Sequence, residues 1–210
     1  MLILCLALPA CRAAKPESTL EKVTLNLTYI PNVQFAPFYV AIEEGIFANH
    51  GLDVNLAYGN EADMVALVGS DHQQFMIASG EQVLLSRAQG LPVISVREWY
   101  QHYPIGVASL KSSHILEPAD LRGKSIGLPG LFGASYIGFE ALAGHAGLSD
   151  DDYELRSIGF TQVEALVTGQ VDAVVVYLAN EPVQLRARGY EINLLSVADS
   201  LSLVGNCLVT

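Results

Sequence analysis

The side chains best suited to holding a ligand follow the first predicted strand, in the segment from Pro31 to Val54 (PNVQFAPFYVAIEEGIFANHGLDV). Its opening carries two amides, an aromatic ring and a phenol: Asn32, Gln34, Phe35 and Tyr39. A flat ring with polar groups at its edge suits a flat heterocyclic molecule. The same segment contains no nucleophile, metal-ligand cluster or phosphate-binding glycine pattern, so it predicts binding without reaction. The alternative is that Phe35 and Tyr39 are core residues.

Three later segments place polar or small residues directly after a predicted strand, where open α/β sheets bind their ligands. The candidates are Ser79, Gly80 and Glu81 at a helix start, the loop Pro129–Tyr136 with Pro129, Gly133, Ser135 and Tyr136, and the group Tyr177, Asn180 and Glu181. Free N–H groups at a helix start can donate to a ligand oxygen. The structural alternative is a capping box of Ser79 with Gln82 and a helix cap at Asn180.

The overall charge argues against two classes of partner. The 210 residues carry a formal net charge of −11, whereas nucleic acids and anionic membrane surfaces attract proteins rich in Lys and Arg. A composition that is 51% hydrophobic and 16% charged is typical of a folded globular chain. The five histidines show no metal-binding spacing, so we expect neither a metal nor another cofactor.

The N-terminus MLILCLALPAC resembles an export signal that ends in a bacterial lipobox. We expect residues 1–11 to be the signal peptide and lipobox, with Cys11 carrying a lipid anchor, and residues 12–22 to be a flexible tether. The alternative is a merely apolar N-terminus, and the apolar stretch is too short to span a bilayer. Cys207 is then the one cysteine of the folded part, where a small buried hydrophobe is expected.

From Val23 onward short apolar strands alternate with helical patterns, which predicts an α/β fold. The segment Trp99–Pro104 (WYQHYP) interrupts this alternation, and Trp99 and Tyr100 either stack on a ligand or pack at a hinge. A weak internal repeat indicates two similar lobes. A helix, a glycine turn, a buried strand and a polar exit with a glutamate occur at residues 66–81 and again at residues 165–181.

Four segments carry a family resemblance: PNVQFAPFYVAIEEGIFANHGLDV, SGEQVLLSRAQGLPVISV, GKSIGLPG and DAVVVYLANEP. They resemble the solute-binding proteins of ABC importers, and more narrowly the branch that contains thiamine-pyrimidine-precursor binding proteins, riboflavin-binding proteins and the fungal pyrimidine synthase. The resemblance covers nearly all of residues 23–210. It implies a two-lobed α/β fold, the type II periplasmic-binding-protein fold, in which each lobe is a mostly parallel sheet flanked by helices.

The resemblance also implies how the chain is divided. The first lobe would comprise residues 23–98 and 198–210, the crossover residues 99–104, and the second lobe residues 105–197. Members of the family are longer, so we expect a C-terminally truncated member with an incomplete first lobe. The ligand would lie between the lobes, in contact with the candidate residues named above, including Trp99 and Tyr100 at the crossover.

The function that the resemblance implies is that of the extracytoplasmic solute-binding component of an ABC importer. It would be held at the cell membrane by its lipid anchor and pass riboflavin or a thiamine pyrimidine precursor to permease subunits. A sulfonate or nitrate ligand is an alternative, but it would need more positive charge than the predicted cleft offers. A pyrimidine synthase is the other alternative. In the family that activity goes with a cysteine-rich iron-binding segment, which this sequence lacks, so we expect no enzyme.

Overall fold

Two lobes, each built on a five-stranded sheet, make up the computed structural model, which describes residues 20–210. The predicted signal peptide, the Cys11 anchor and most of the predicted tether lie outside the described residues. Within residues 20–210, no helix combines the length and the apolar character needed to cross a membrane. The first strand begins at Glu21, whose N–H donates to the Gly51 carbonyl at 2.8 Å, so the last two residues of the predicted tether belong to the first sheet.

The first lobe has the strand order β2-β1-β3-β10-β4. Its strands are β1 (Glu21–Thr28), β2 (Leu52–Gly59), β3 (Phe75–Ala78), β4 (Ser95–Glu98) and β10 (Cys207–Val209), and its helices are α1 (Ala36–Glu43), α2 (Ile46–Asn49), α3 (Glu61–Gly69) and α4 (Gly80–Ala88). β1 pairs in parallel with β2 and β3, whereas β10 is antiparallel to β3 and β4. The sheet is therefore parallel except for the inserted β10.

The second lobe has the strand order β7-β6-β8-β5-β9. Its strands are β5 (Ile105–Leu110), β6 (Ser125–Leu128), β7 (Glu154–Ser157), β8 (Ala173–Tyr177) and β9 (Ile192–Ser196), and its helices are α5 (Gly133–His145), α6 (Gln162–Val167), α7 (Glu181–Ala187) and α8 (Val197–Ser200). β6 pairs in parallel with β7 and β8, and β5 is antiparallel to β8 and β9.

The two sheets share one plan. If β1 is matched with β6, then β2, β3, β4 and β10 match β7, β8, β9 and β5 in the same order. In each lobe the antiparallel strand is the one that the chain enters from the other lobe. The internal repeat in the sequence corresponds to α3 with β3 and to α6 with β8, which occupy equivalent positions in the two lobes. The prediction of two mostly parallel sheets flanked by helices is confirmed.

The burial of β8 on both faces explains why its sequence is continuously apolar. Its five residues, AVVVY, are all buried. Val175 and Tyr177 pack on the side of α5, while Val174 and Val176 pack on the side of α6 and α7. A strand covered on both faces has no polar side to present, as is usual in the centre of a parallel sheet.

The tail of the chain differs from the prediction. We expected residues 198–210 to belong to the first lobe, but within this stretch only β10 pairs with the first sheet. Ala198, Leu201 and Leu203 instead pack on the apolar core beneath β5 and α5 of the second lobe. Their apolar side chains complete that core before the chain crosses over.

The two connections between the lobes cross in direct contact. The N–H groups of Trp99 and Tyr100 in the first connection donate to the carbonyl of Asn206 in the second, at 2.8 and 3.1 Å. A Cβ added to Gly205 would overlap the backbone carbonyl of Tyr100, and one added to Gly80 would overlap the side chain of Val204. Glycine at these positions is therefore a requirement of the close approach.

We expect Gly205→Ala to lower the free energy of unfolding by about 1–3 kcal/mol, because the added methyl group must push two backbone segments apart. Denaturant unfolding followed by circular dichroism measures this. Gly144→Ala is the matched control: its Cβ would meet no atom within 4 Å and it lies inside α5, so stability should stay or rise by about 0.5–1 kcal/mol. Equal stability of the two variants would contradict a tight crossing.

Candidate functional site

The carboxyl ends of strands from both lobes open into one cleft. Asn32 and Gln34, which follow β1, line the same small cavity as Pro129 and Ser135, which follow β6, and Glu181, which follows β8. The two turns predicted to hold a ligand, one from each lobe, therefore face each other. This is the arrangement that a clamp between lobes requires.

An open groove of about 580 Å³ extends from this cavity. The turn at residues 30–33 forms its wall on the first lobe. On the second lobe, Phe160, Gln162, Asn180 and Glu181 contribute an aromatic ring, two amides and a carboxylate. The volume falls within the range of about 300–1,000 Å³ found for sites that bind small molecules.

A second recess, of about 300 Å³, lies on the other side of Phe160. Its walls include Tyr29, Glu61 and Phe132. The rings of Tyr29 and Phe160 meet edge to face, with centroids 5.4 Å apart and planes at 90°. This aromatic contact between the lobes separates the recess from the groove.

Tyr29 reaches from the first lobe into the second. Its backbone has φ 73°, in the left-handed region, which costs about 1–3 kcal/mol for a residue with a side chain. Its hydroxyl oxygen lies 3.3 Å from the position that a Cβ would take on Gly133, at the start of α5. Burial, followed by the charges of nearby glutamates, raises the pKa of the Tyr29 phenol well above its usual range. Tyr29 is therefore a neutral hydroxyl in the centre of the cleft.

Three glutamates supply those charges: Glu61, Glu81 and Glu181. Glu61 occupies the first turn of α3, which begins there because Asn60 caps the helix by accepting from Ala62 N–H at 2.9 Å. Its Oε1 accepts from the N–H of Ser79 at 2.5 Å. Removal from water raises the pKa of Glu61 to about 7, and the bond from Ser79 opposes this shift.

Glu81 takes part in a contact that joins the lobes. The Tyr103 hydroxyl lies 3.0 Å from Glu81 Oε1 and 2.9 Å from the carbonyl oxygen of Ala134 in α5. A phenol has one proton to donate, so the Tyr103 hydroxyl shares it between these two acceptors. Burial raises the pKa of Glu81, and the bond from Tyr103 opposes this shift.

Glu181 belongs to the second lobe. Its Oε2 accepts from the N–H of Tyr177 at 2.9 Å, and its Oε1 accepts from Asn180 Nδ2 at 2.7 Å. Burial raises the pKa of Glu181, and these donors oppose the change. Asn180 is the residue before α7, but its side chain makes no capping bond. Asn180 orients the glutamate.

Many of the residues predicted for the site lie at the cleft. Asn32, Pro129, Ser135, Tyr177, Asn180 and Glu181 line its cavities, while Ser79 and Gly133 lie next to residues that line it. Glu81 lines none of these cavities and contacts Tyr103 beside the crossing. The predicted capping box of Ser79 is wrong, since its side chain makes no capping bond and Gln82 donates to Ser86 instead. Gly80 is buried against the second crossing and does not reach the cleft.

Three aromatic rings predicted to contact the ligand pack on the cores of their lobes. Phe35 is 2% exposed and packs in the core of the first lobe beside β1. Tyr39 packs against the same core, where its hydroxyl accepts from Asn32 N–H at 3.1 Å and from Tyr58 at 3.0 Å. Tyr136 packs on the core of the second lobe. The core-packing alternative therefore describes Phe35, and Tyr39 and Tyr136 are partly buried.

Trp99 and Tyr100 lie at the hinge instead of the ligand cleft. The indole of Trp99 stacks on Phe38 with centroids 4.4 Å apart and planes at 18°. Both residues line a separate groove beside the crossing, together with His102 and Asp199. Hinge packing, the structural alternative considered for these residues, is what the structure shows.

Sequence reasoning missed four residues of the cleft: Tyr29, Glu61, Phe160 and Gln162. It also missed Tyr103, which lies beside the crossing and contacts Glu81. Tyr29 stands one residue before Ile30-Pro31, at the end of a predicted strand, which is the position rule that identified Asn32. Glu61 follows a strand and starts a helix, as Glu81 and Glu181 do. Applying the same rule to every strand exit would have found these two.

Comparison with known proteins identifies the family. Residues 32–210 match the family model described as NMT1/THI5 like. The chain belongs to the NMT1/THI5-like family. It is 40% identical over 200 residues to riboflavin-binding protein RibY of Chloroflexus aurantiacus, covering 94% of this chain and 57% of that protein. It is 31% identical over 203 residues to a formylaminopyrimidine-binding protein of Halalkalibacterium halodurans, covering 95% of this chain and 61% of that protein.

Other similarities extend the comparison. The chain is 32% identical over 155 residues to the Saccharomyces cerevisiae 4-amino-5-hydroxymethyl-2-methylpyrimidine phosphate synthase THI13, covering 73% of this chain and 45% of that protein. The fold is similar to that of the periplasmic aliphatic sulphonate binding protein SsuA of Escherichia coli, with a TM-score of 0.73 at 13% identity over 90% of this chain and 65% of that one. The predicted two-lobed fold is confirmed. The chain spans about three-fifths of the length of the curated binding proteins it matches.

We expect Glu61→Gln to flatten the dependence of stability on pH. The folded chain holds the proton of Glu61 more tightly than the unfolded chain, because its pKa is raised from 4.5 to about 7. The stability from this group is therefore complete below its ordinary pKa and is lost as the pH rises through about 7. Melting temperatures across this range should fall less for Glu61→Gln than for the parent protein.

Glu191→Gln provides the control, because Glu191 is 76% exposed in a surface pair with Lys111, and such pairs contribute little. Its melting profile should run parallel to that of the parent. An unchanged slope in Glu61→Gln would show that Glu61 is not desolvated.

Proposed function

We propose that this protein binds a flat heteroaromatic nutrient, with riboflavin as the first candidate, in the cleft between its lobes. The observation that carries the proposal is the groove of about 580 Å³ with Phe160 on its wall and Asn32, Gln162 and Asn180 around it. One aromatic face and several amides match the flat rings and polar edges of such a ligand. The 40% identity to riboflavin-binding protein RibY supports this choice of ligand.

A thiamine pyrimidine precursor is the second candidate ligand. The relative from Halalkalibacterium halodurans is named for a formylaminopyrimidine. A pyrimidine ring is smaller than a flavin, and the recess of about 300 Å³ with Phe132 and Phe160 on its walls is correspondingly smaller and more apolar. Glu61 on the same wall can accept from an exocyclic amino group.

We propose that the protein is a binding component and not an enzyme. The Saccharomyces cerevisiae relative is named as a synthase, so the family includes enzymes. In this chain the cleft offers carboxylates, amides and phenols, and its glutamates are already hydrogen-bonded to the protein. Cys207, the cysteine within residues 20–210, is 4% exposed and packs in the core between β3 and β4.

A binding component of this kind would act with permease subunits of an ABC importer, outside the cytoplasm. The fold and the named relatives support this role. The lipid anchor at Cys11 and the signal peptide remain sequence-based proposals that agree with it. Two lobes joined by crossing connections can open and close around the ligand about their hinge.

Titration of the purified protein with riboflavin, followed by quenching of flavin fluorescence, tests the proposal. We expect Phe160→Ala to weaken binding by roughly 5- to 150-fold, since stacking of a heterocycle on an aromatic side chain contributes about 1–3 kcal/mol. Tyr190→Ala removes an exposed aromatic ring that follows α7 and should leave the affinity unchanged.

Two results would count against this assignment. Absence of saturable binding by the parent protein, for riboflavin and for formylaminopyrimidine alike, would remove the proposed function. Equal affinities of the parent and Phe160→Ala would place the ligand outside the groove.

A further inference from the structure

We infer that Glu61, Glu81 and Glu181 make the cleft selective against phosphorylated ligands, so that it takes the uncharged or cationic form of its heterocycle. This inference rests on the proposed function, because it concerns the same cleft. The three glutamates come from both lobes and surround Tyr29. A phosphate group on a ligand in this cleft would be placed near these like charges, which repel it.

Helix N-termini are the usual phosphate sites of α/β proteins, and here they carry carboxylates. The first turns of α3, α4 and α7 contain Glu61, Glu81 and Glu181. Glu61 also takes the N–H of Ser79, the residue before α4. The N–H groups of Ala62, Asp63 and Ser79 are thus already bonded to side chains of the protein.

The N-terminus of α5 has no acidic residue of its own in its first turn, but the first lobe covers it. Glu61 Oε2 lies 3.6 Å, and the Tyr29 hydroxyl 3.3 Å, from the position of a Cβ on Gly133. A phosphate that approached this helix would have to displace Glu61 or lie beside it. The start of α5 is therefore also unfavourable for an anion. α6 begins in the wall of the groove, and its first turn likewise contains an acidic residue, Glu164.

No positive side chain within residues 20–210 offsets this charge at the cleft. The walls of the groove, the small cavity and the recess include no Lys or Arg. Arg188 pairs with Glu164 on the groove rim at 2.9 Å. A bidentate cation, the common partner of a phosphate, is missing from these walls.

One buried carboxylate oxygen points to the ligand chemistry that would be accepted. Glu81 Oε2 has no hydrogen-bond partner within the described residues, and the buried Ser79 hydroxyl lies beside Glu61 and Glu81. Buried polar atoms are normally paired. A ligand N–H or O–H can donate to this oxygen, whereas a phosphate dianion offers only acceptors.

Paired titrations test the inference. One pair is riboflavin and riboflavin 5′-phosphate, and the other is 4-amino-5-hydroxymethyl-2-methylpyrimidine and its phosphate. Both are titrated at about pH 8, where the phosphate carries close to two negative charges. For whichever ring binds, we expect the phosphorylated form to bind at least ~10-fold more weakly than the unphosphorylated form. The ratio of these two dissociation constants should fall several-fold in each of the variants Glu61→Gln, Glu81→Gln and Glu181→Gln. Glu191→Gln, which removes the same charge from an exposed site, should not change it.

The outcomes separate the two proposals. Equal or tighter binding of the phosphorylated form by the parent protein overturns the inference and leaves the proposed function standing, and this comparison needs no variant to fold. A ratio that stays the same in all three glutamine variants also overturns it, because the discrimination would then be steric. If neither ring binds in either form, the proposed function itself fails and the inference with it.

Discussion

Removal of carboxylates from water is the constraint on which the cleft depends. A buried carboxylate is stable only when donors surround it or when it is protonated, and this chain uses both means. Main-chain N–H groups serve Glu61 and Glu181, and a phenol serves Glu81. The neighbouring tyrosines stay neutral for the same reason. The result is a site rich in acceptors and neutral hydroxyls.

The crossing of the two connections between the lobes brings the carboxylates and tyrosines of the two lobes together. Asn206 accepts from two successive N–H groups of the other connection, and the absence of a side chain at Gly205 lets the backbones touch. A crossing this tight holds the two connections side by side, while the lobes beyond it contact each other through side chains such as Tyr29 and Tyr103. Backbone contact at the hinge and side-chain contacts at the cleft are compatible with lobes that open and close.

The sequence was most informative where the local pattern and the packing agree. The apolar run of β8 and the repeated helix–turn–strand units predicted two parallel sheets, because burial on both faces leaves a direct mark on composition. It was least informative for aromatic side chains after a strand. Phe35 and Phe160 have the same chemistry, and only the position of a neighbouring sheet decides that Phe35 enters a core and Phe160 a groove. Tyr103 could not be assigned from its surroundings in the sequence, since its partners are 22 and 31 residues away.

The position of Trp99 has a spectroscopic consequence. It is the single tryptophan of the chain, its indole lies against Phe38 at the hinge, and its Nε1 is buried. Intrinsic emission excited at the red edge of protein absorbance therefore originates beside the crossing and away from the ligand groove. A change in that emission on addition of a solute that does not absorb in its range reports rearrangement of the hinge, so the chain carries its own optical probe of lobe movement.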